Sequence, residues 1–239
     1  MCLLHPQSLK KKSLTDTVYR MRVALITACY GAYDPVRALP DNHGFDDAVC
    51  VTDDASLIGA GWRVHVEPSG ESPRLAAKKP KMLPWLFTDC DAAIWLDASF
   101  EVQAGFKDWA VQHFNQNDFV VWQHPEGRFD ISDEAAASMT LKKYQGSRVV
   151  EQAAFYKSQG FPAIWGLFAG GTVGYRFTPA VKRFGALWLQ ECESWSIQDQ
   201  ISLPYLLWSE GMPFGIWQAN EYKNPYLTLR WDQRPDPQK

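Results

Sequence analysis

A chain of 239 residues, 46% hydrophobic and 21% charged, can bury a sizeable core and lies outside disordered and collagen-like compositions. Its formal net charge of -3, with no like-charge block longer than lysines 10–12, excludes a nucleic-acid footprint. No apolar run approaches the ~20 residues of a membrane span.

Residues 1–20 are polar and aperiodic and read as an N-terminal arm outside the natural domain. Residues 21–239 read as a single domain. VALITA (23–28) reads as a buried strand, followed by a loop that Gly31 and Asp34-Pro35 punctuate. AVCVT (48–52) and WRVHV (62–66) supply two further strands. Residues 72–88 read as helix with Ser72 as cap, broken into two short pieces by Pro80 and Pro84. AAIWL (92–96) is a fourth strand, FKDWAVQHF (106–114) an amphipathic helix and FVVW (119–122) a fifth strand. The stretch 132–159 is mostly helical, with Ser132 as its cap. Gly170-Gly171 then punctuates before a strand TVGYRF (172–177). Helices follow from Pro179 to about Glu193 and from about Ile197 to Glu210, and FGIW (214–217) reads as an edge strand. Early strand–helix alternation with longer late helices predicts an α/β three-layer sandwich on a mixed, mostly parallel sheet.

Most of the eleven tryptophans sit in apolar patterns and read as core, with sugar stacking as the alternative. Five widely spaced cysteines without a Cys-x-x-Cys pair argue against a disulfide framework and a structural zinc site, and suit a reducing cytoplasm. Dinucleotide, Walker, nucleophile-elbow and zinc-protease motifs are absent, which sets aside hydride transfer, P-loop chemistry and zinc proteolysis.

Asp97 ends the apolar run AAIWL. Ligands of open α/β sheets collect at such strand ends, and a carboxylate buried there needs a cation or several donors. Asp97-Ala-Ser99 reads as a shortened Asp-x-Asp site in which Asp97 and Ser99 hold Mg²⁺ or Mn²⁺ against substrate phosphates, or else as a turn cap. Arg74, Lys78 and Lys81 fall on one helical face that could meet a diphosphate, or simply water. His124 and Asp130, in HPEGRFDISDE after the fifth strand, are candidates for a base or a hydroxyl-binding group. Gly170-Gly171 permits close backbone approach of a ligand, or is a plain turn. Asp199-Gln200 opens the last helix, facing a site or capping it.

The ordered series TACYGAYD, VCVTDD, GWRV, RLAAKKPKMLPWLF, IWLDASFEV, HPEGRFDISDEA and SWSIQDQISLPYLLW resembles a glycosyltransferase-like domain family of formerly unknown function. Its members occur in bacteria and among plant mucilage-related proteins, and it is similar to GT-A-fold nucleotide-sugar transferases. The resemblance covers about residues 22–212 and implies a GT-A-like domain using a nucleotide diphosphate sugar. It implies Asp97 at the metal or diphosphate position, Tyr30 and Gly31 near the nucleotide, Asp53 near base or ribose, and Lys78 near the phosphates. It implies Gly170 and Gly171 on the acceptor side, and Asp199 as the acceptor-facing carboxylate. The motif departs from Asp-x-Asp, and NEYKNPYLTLRW lacks the late metal-binding histidine of many GT-A enzymes.

The reading is a cytoplasmic glycosyltransferase that passes a sugar to a hydroxyl acceptor in glycan or polysaccharide biosynthesis. Lys78 and Lys81 belong to its donor side, Gln200 to its acceptor side, and Asp199, His124 and Asp130 are its candidates for acid–base work. The alternatives are a non-catalytic nucleotide-sugar or glycan-binding module and a hydrolase on the same scaffold. Neither nucleic acid nor a membrane span enters any of these readings.

Overall fold

The computed structural model describes residues 20–70 and 72–230; the expected N-terminal arm lies outside them but for Arg20. A seven-stranded sheet has the order β3-β2-β1-β4-β7-β6-β8. Its strands are β1 (Val23–Cys29), β2 (Asp47–Thr52), β3 (Arg63–Val66), β4 (Ala92–Leu96), β6 (Phe119–Gln123), β7 (Phe168–Arg176) and β8 (Gly215–Ile216). β1 pairs in parallel with both β2 and β4, and β2 with β3. β7 runs against β4 and β6, while β8 is parallel to β6. The sheet is thus mixed and mostly parallel.

Alternation along β1 explains the layers. Ala24 and Ile26 join a cluster with Met82, Val181, Phe184, Trp188 and Leu203, from α2 (Lys78–Met82), α6 (Pro179–Ser194) and α7 (Asp199–Ser209). Val23 and Leu25 join the opposite cluster with Phe106, Ala110, Trp122 and Trp217, beneath α3 (Phe106–Ala110). A strand covered on both faces must be apolar at every position, and this is why VALITAC and AAIWL carry no charge. The third cluster packs α4 (Ile131–Met139) and α5 (Val149–Ser158) against α7.

Five expectations shift. Residues 72–88 break at Ala77 and not at Pro80, which lies inside α2. The segment 106–114 is α-helical only to Ala110 and continues as a 3-10 turn over Val111–Asn115. Asp130, not Ser132, caps α4: its Oδ1 accepts from the Ser132 backbone N–H at 2.7 Å, and the helix begins at Ile131. Gly170-Gly171 is no turn but lies within β7, which starts at Phe168. A Cβ on Gly170 would come within 2.8 Å of Lys81 Nζ, and one on Gly171 within 2.6 Å of Phe100 Cε2, so side chains rather than open space lie above these glycines. Finally, β5 (Phe100–Val102) and β9 (Leu227–Leu229) form a separate antiparallel pair that local patterning does not mark.

The tryptophans are largely core. Trp122, Trp188 and Trp217 are fully buried, and Trp109 stacks on Trp122 with ring centres 5.4 Å apart. Among the described residues no helix is long and apolar enough to cross a membrane.

Candidate active site

Strand order reverses between β1 and β4, the place where an open α/β sheet leaves a crevice beyond its carboxyl ends. A cavity of about 530 Å³ opens there. Tyr30 follows β1 into it, and Asp97, Ala98 and Ser99 follow β4. Trp95 is the one tryptophan among the described residues that lines it.

Asp97 is half-buried at this rim. Its backbone N–H donates to the Gly171 carbonyl at 2.7 Å, and its Oδ1 accepts from Trp95 Nε1 at 2.8 Å. The indole fixes one carboxylate oxygen and leaves the other oriented by the same plane. Small neighbours keep the space open, since Ala98 and Ser99 are themselves 8% and 2% exposed.

The opposite wall is cationic. α1 (Pro73–Ala76), capped by Ser72, carries Arg74; α2 carries Lys78 and Lys81, and all three line the cavity although the helix breaks between them. Asp199 Oδ2 accepts from Lys78 Nζ at 2.7 Å and from Lys81 Nζ at 2.5 Å. Asp199 also sits in the first turn of α7, where the helix dipole favours a carboxylate. Burial alone would raise its carboxyl, but the two ammonium charges outweigh burial and hold it well below the usual carboxylate range. Lys78 is moved the other way: burial opposes its charge, Asp199 overcomes that, and the ammonium is held above its ordinary value. Asp199 is therefore a fixed anion with little proton affinity. Gln200 Nε2 donates to the Phe168 carbonyl at 3.1 Å beside this group.

Below the β6 end lies a second polar cluster. Arg128 bonds Glu134 Oε2 through Nε and Glu126 through Nη1, each at 2.7 Å. His124 lies between them, with Nε2 at 3.2 Å from Arg128 Nη2 and Nδ1 at 3.3 Å from the Glu126 backbone N–H. Burial first, and the Arg128 charge second, pull His124 down to about 4, so the ring is neutral at pH 7. Gln198 links this cluster to the Asp199 side, donating to Glu134 Oε1 at 2.7 Å and accepting from the Tyr144 hydroxyl at 3.2 Å.

Of the residues singled out in the sequence, Tyr30, Lys78, Lys81, Asp97, Ser99, His124, Gly170, Gly171, Asp199 and Gln200 line this one cavity. Three others do not. Gly31 donates its backbone N–H to Asp53 Oδ1 at 3.0 Å, a bond that ties the loop after β1 to the one after β2. Asp130 is spent on its helix cap and on Lys157, whose Nζ donates to Oδ2 at 2.7 Å. Glu221, by contrast, lines the cavity and escaped sequence reading. It is 1% exposed, and its Oε1, like the neighbouring Thr172 Oγ1, has no hydrogen-bond partner among the described residues. Burial, with Asp97 second, pushes its carboxyl up to about 8, so it is protonated at neutral pH. No local pattern in NEYK flags it beyond a carboxylate among polar turn residues.

These donors do not fit a resident divalent cation. Mg²⁺ or Mn²⁺ asks for ionised oxygen ligands, usually one or two carboxylates besides substrate phosphates. Here Asp97 has one oxygen committed to an indole N–H, and the motif's third position is Ser99 rather than a second carboxylate. Among the described residues no three His, Cys, Asp or Glu side chains group as a metal site. Asp97 is the foremost charge acting on Glu221, with Lys81 opposing it, and Asp97 also acts on Lys78.

The fold has solved counterparts. The apo structure of the bifunctional glycosyltransferase WbbM superposes with a TM-score of 0.52 at 12% identity, over 83% of this chain and 39% of that one. Such low identity speaks to the fold alone, which is that of a glycosyltransferase-like α/β sandwich. The chain spans well under half the length of that protein. No curated protein matches the chain. The sequence profile of the TOD1/MUCI70 glycosyltransferase-like domain matches residues 41–224. With that match across most of its length, the chain belongs to the TOD1/MUCI70 glycosyltransferase-like domain family.

Proposed function

We propose that the protein is a glycosyltransferase that moves a sugar from a nucleoside diphosphate donor to a hydroxyl acceptor in glycan or polysaccharide biosynthesis. The observation that carries this reading is the cavity at the β1 and β4 ends, where half-buried Asp97 shares one space with Arg74, Lys78 and Lys81. Separated charges of this kind suit a ligand with an anionic end and a hydroxyl-rich end.

In the reaction the bond between the anomeric carbon and the diphosphate oxygen breaks. The acceptor oxygen bonds to that carbon and loses its proton, and the nucleoside diphosphate leaves as an anion. Preorganised positive charge at the leaving group lowers that barrier. Asp97 is the carboxylate with an oxygen left over for substrate, and the reading has that oxygen take the proton that the acceptor hydroxyl gives up. Asp199 has surrendered its proton affinity to two ammonium groups, and both ring nitrogens of His124 already face protein groups. Four described cysteines are buried free thiols, which supports a reducing, cytoplasmic setting.

The test is a panel of nucleotide sugars, read by thermal shift and by diphosphate release. At least one donor should shift the melting point and be turned over. Asp97→Asn, which keeps an oxygen for the Trp95 indole, should cut turnover by roughly a hundredfold, the scale of one transition-state contact, with the melting point of the free protein nearly unchanged. No shift and no release with any donor overturns the reading. The engagement of Asp199 and His124 favours a second reading, a non-catalytic nucleotide-sugar-binding module. It predicts a shift without release.

A further inference from the structure

The three cations of the α1–α2 wall are not a solvated face. Lys81 is 2% exposed, and its ammonium lies 5.6 Å from the Trp188 ring centre and 6.0 Å from that of Trp95. Lys78 has a side chain only 17% exposed. Arg74 donates to the Lys143 carbonyl at 2.8 Å and lies over the Tyr144 ring, 5.1 Å from its centre. Lys143 lies 5.0 Å from the same ring centre. One carboxylate, Asp199, answers Lys78 and Lys81, and Arg74 has no ion-pair partner among the described residues. Burying excess positive charge is costly unless an anion completes it. The cavity these groups line gives an anion room to do so.

Resting on the donor reading above, we propose that this wall neutralises the donor's diphosphate directly, through Arg74, Lys78 and Lys81, with no divalent cation between protein and phosphate. Three features point the same way. The strand-end motif offers one carboxylate and a serine where a metal site asks for more ionised oxygens. No three His, Cys, Asp or Glu side chains among the described residues group as a metal site. The two ammonium groups meet at Asp199 Oδ2 and the Arg74 guanidinium stands apart on α1, so positive charge is offered at two places along the cavity, as a two-phosphate ligand requires. Asp199 holds the two ammonium groups close together, so it is a positioning residue for the anion site and does not touch the ligand.

The experiment is calorimetric titration with uridine, guanosine and adenosine diphosphates, first in excess EDTA and then with Mn²⁺. At least one nucleotide should bind in EDTA, with a Kd within about threefold of that in Mn²⁺, and should weaken as salt is added. Arg74→Gln should raise Kd roughly fivefold or more and Lys78→Met roughly tenfold or more, as expected for charge-assisted bonds. Arg74 lies at the outer part of the wall, so Arg74→Gln keeps the test valid if Lys78→Met folds poorly. Binding that appears only with Mn²⁺, or an Arg74→Gln protein that binds like wild type, overturns the proposal while leaving the donor reading intact. No binding of any nucleotide, with or without Mn²⁺, overturns both.

Discussion

At Asp199 a single side chain holds two cations from an element more than a hundred residues away. Asp199→Asn keeps the shape and removes the charge, leaving Lys78 and Lys81 to repel one another in a dry setting. Breaking a buried pair in this way costs about 3–5 kcal/mol, and urea unfolding at pH 7 should register a loss of that order. A change below about 1 kcal/mol would mean that solvent reaches the lysines and that the wall is less desolvated than its geometry indicates. The residue type and its position at a helix start were legible in DQISLPYLLW. Its partners were not, because nothing local to Asp199 announces a lysine 118 or 121 positions earlier.

At the level of elements, the sequence yields most where local chemistry decides. β1, β2 and β4 read directly because strands covered on both faces are apolar along most of their length. Pro84 marked the end of α2, whereas the break before it falls at Ala77 and not at Pro80, which lies inside the helix. It yields least where distant pairing decides. β7 runs through Gly170-Gly171 because β4 and β6 pair along it, and β5 and β9 exist only as partners of one another. The packing of α2 on α6 rests on a glycine with no local signal. A Cβ at Gly185 would lie 2.1 Å from the Met82 carbonyl oxygen and 2.8 Å from Trp85 Cη2. Gly185→Ala must push α2 away and should cost about 3 kcal/mol, measured as a drop in the unfolding midpoint. Because α2 carries Lys78 and Lys81, ligand binding should weaken alongside. An alanine variant as stable as wild type would show that the two helices have slack.

For the molecule as a whole, two buried groups bracket its pH behaviour. His124 is neutral in the fold down to about 4, whereas an ordinary histidine takes its proton near 6.5. Between those values the unfolded chain binds the extra proton, so stability rises with pH and is lost as pH falls from about 6.5 to about 4. Glu221 behaves in the opposite sense. It keeps its proton up to about 8, whereas an unfolded glutamate loses it near 4.5, so the fold holds the extra proton and stability falls as pH rises between those values. The two opposing slopes overlap in mildly acidic solution, and above about 6.5 the Glu221 decline stands alone. Urea midpoints measured across pH should therefore fall from pH 6.5 to pH 8, and Glu221→Gln should flatten that fall. His124→Gln should flatten the acid side instead. A Glu221→Gln profile that keeps its alkaline decline would assign the decline to another group.

The β5–β9 pair gives the turn after Asp97 an unusual dependence on time. The Arg230 backbone N–H donates to the Ser99 carbonyl at 2.9 Å, and Arg230 Nε bonds Glu101 Oε2, 129 residues earlier, at the same distance. During synthesis the ribosome releases all the strands of the central sheet before it releases this clasp. The scaffold can thus assemble first, and the cavity rim after Asp97 stays unlatched until residues 227–230 have emerged.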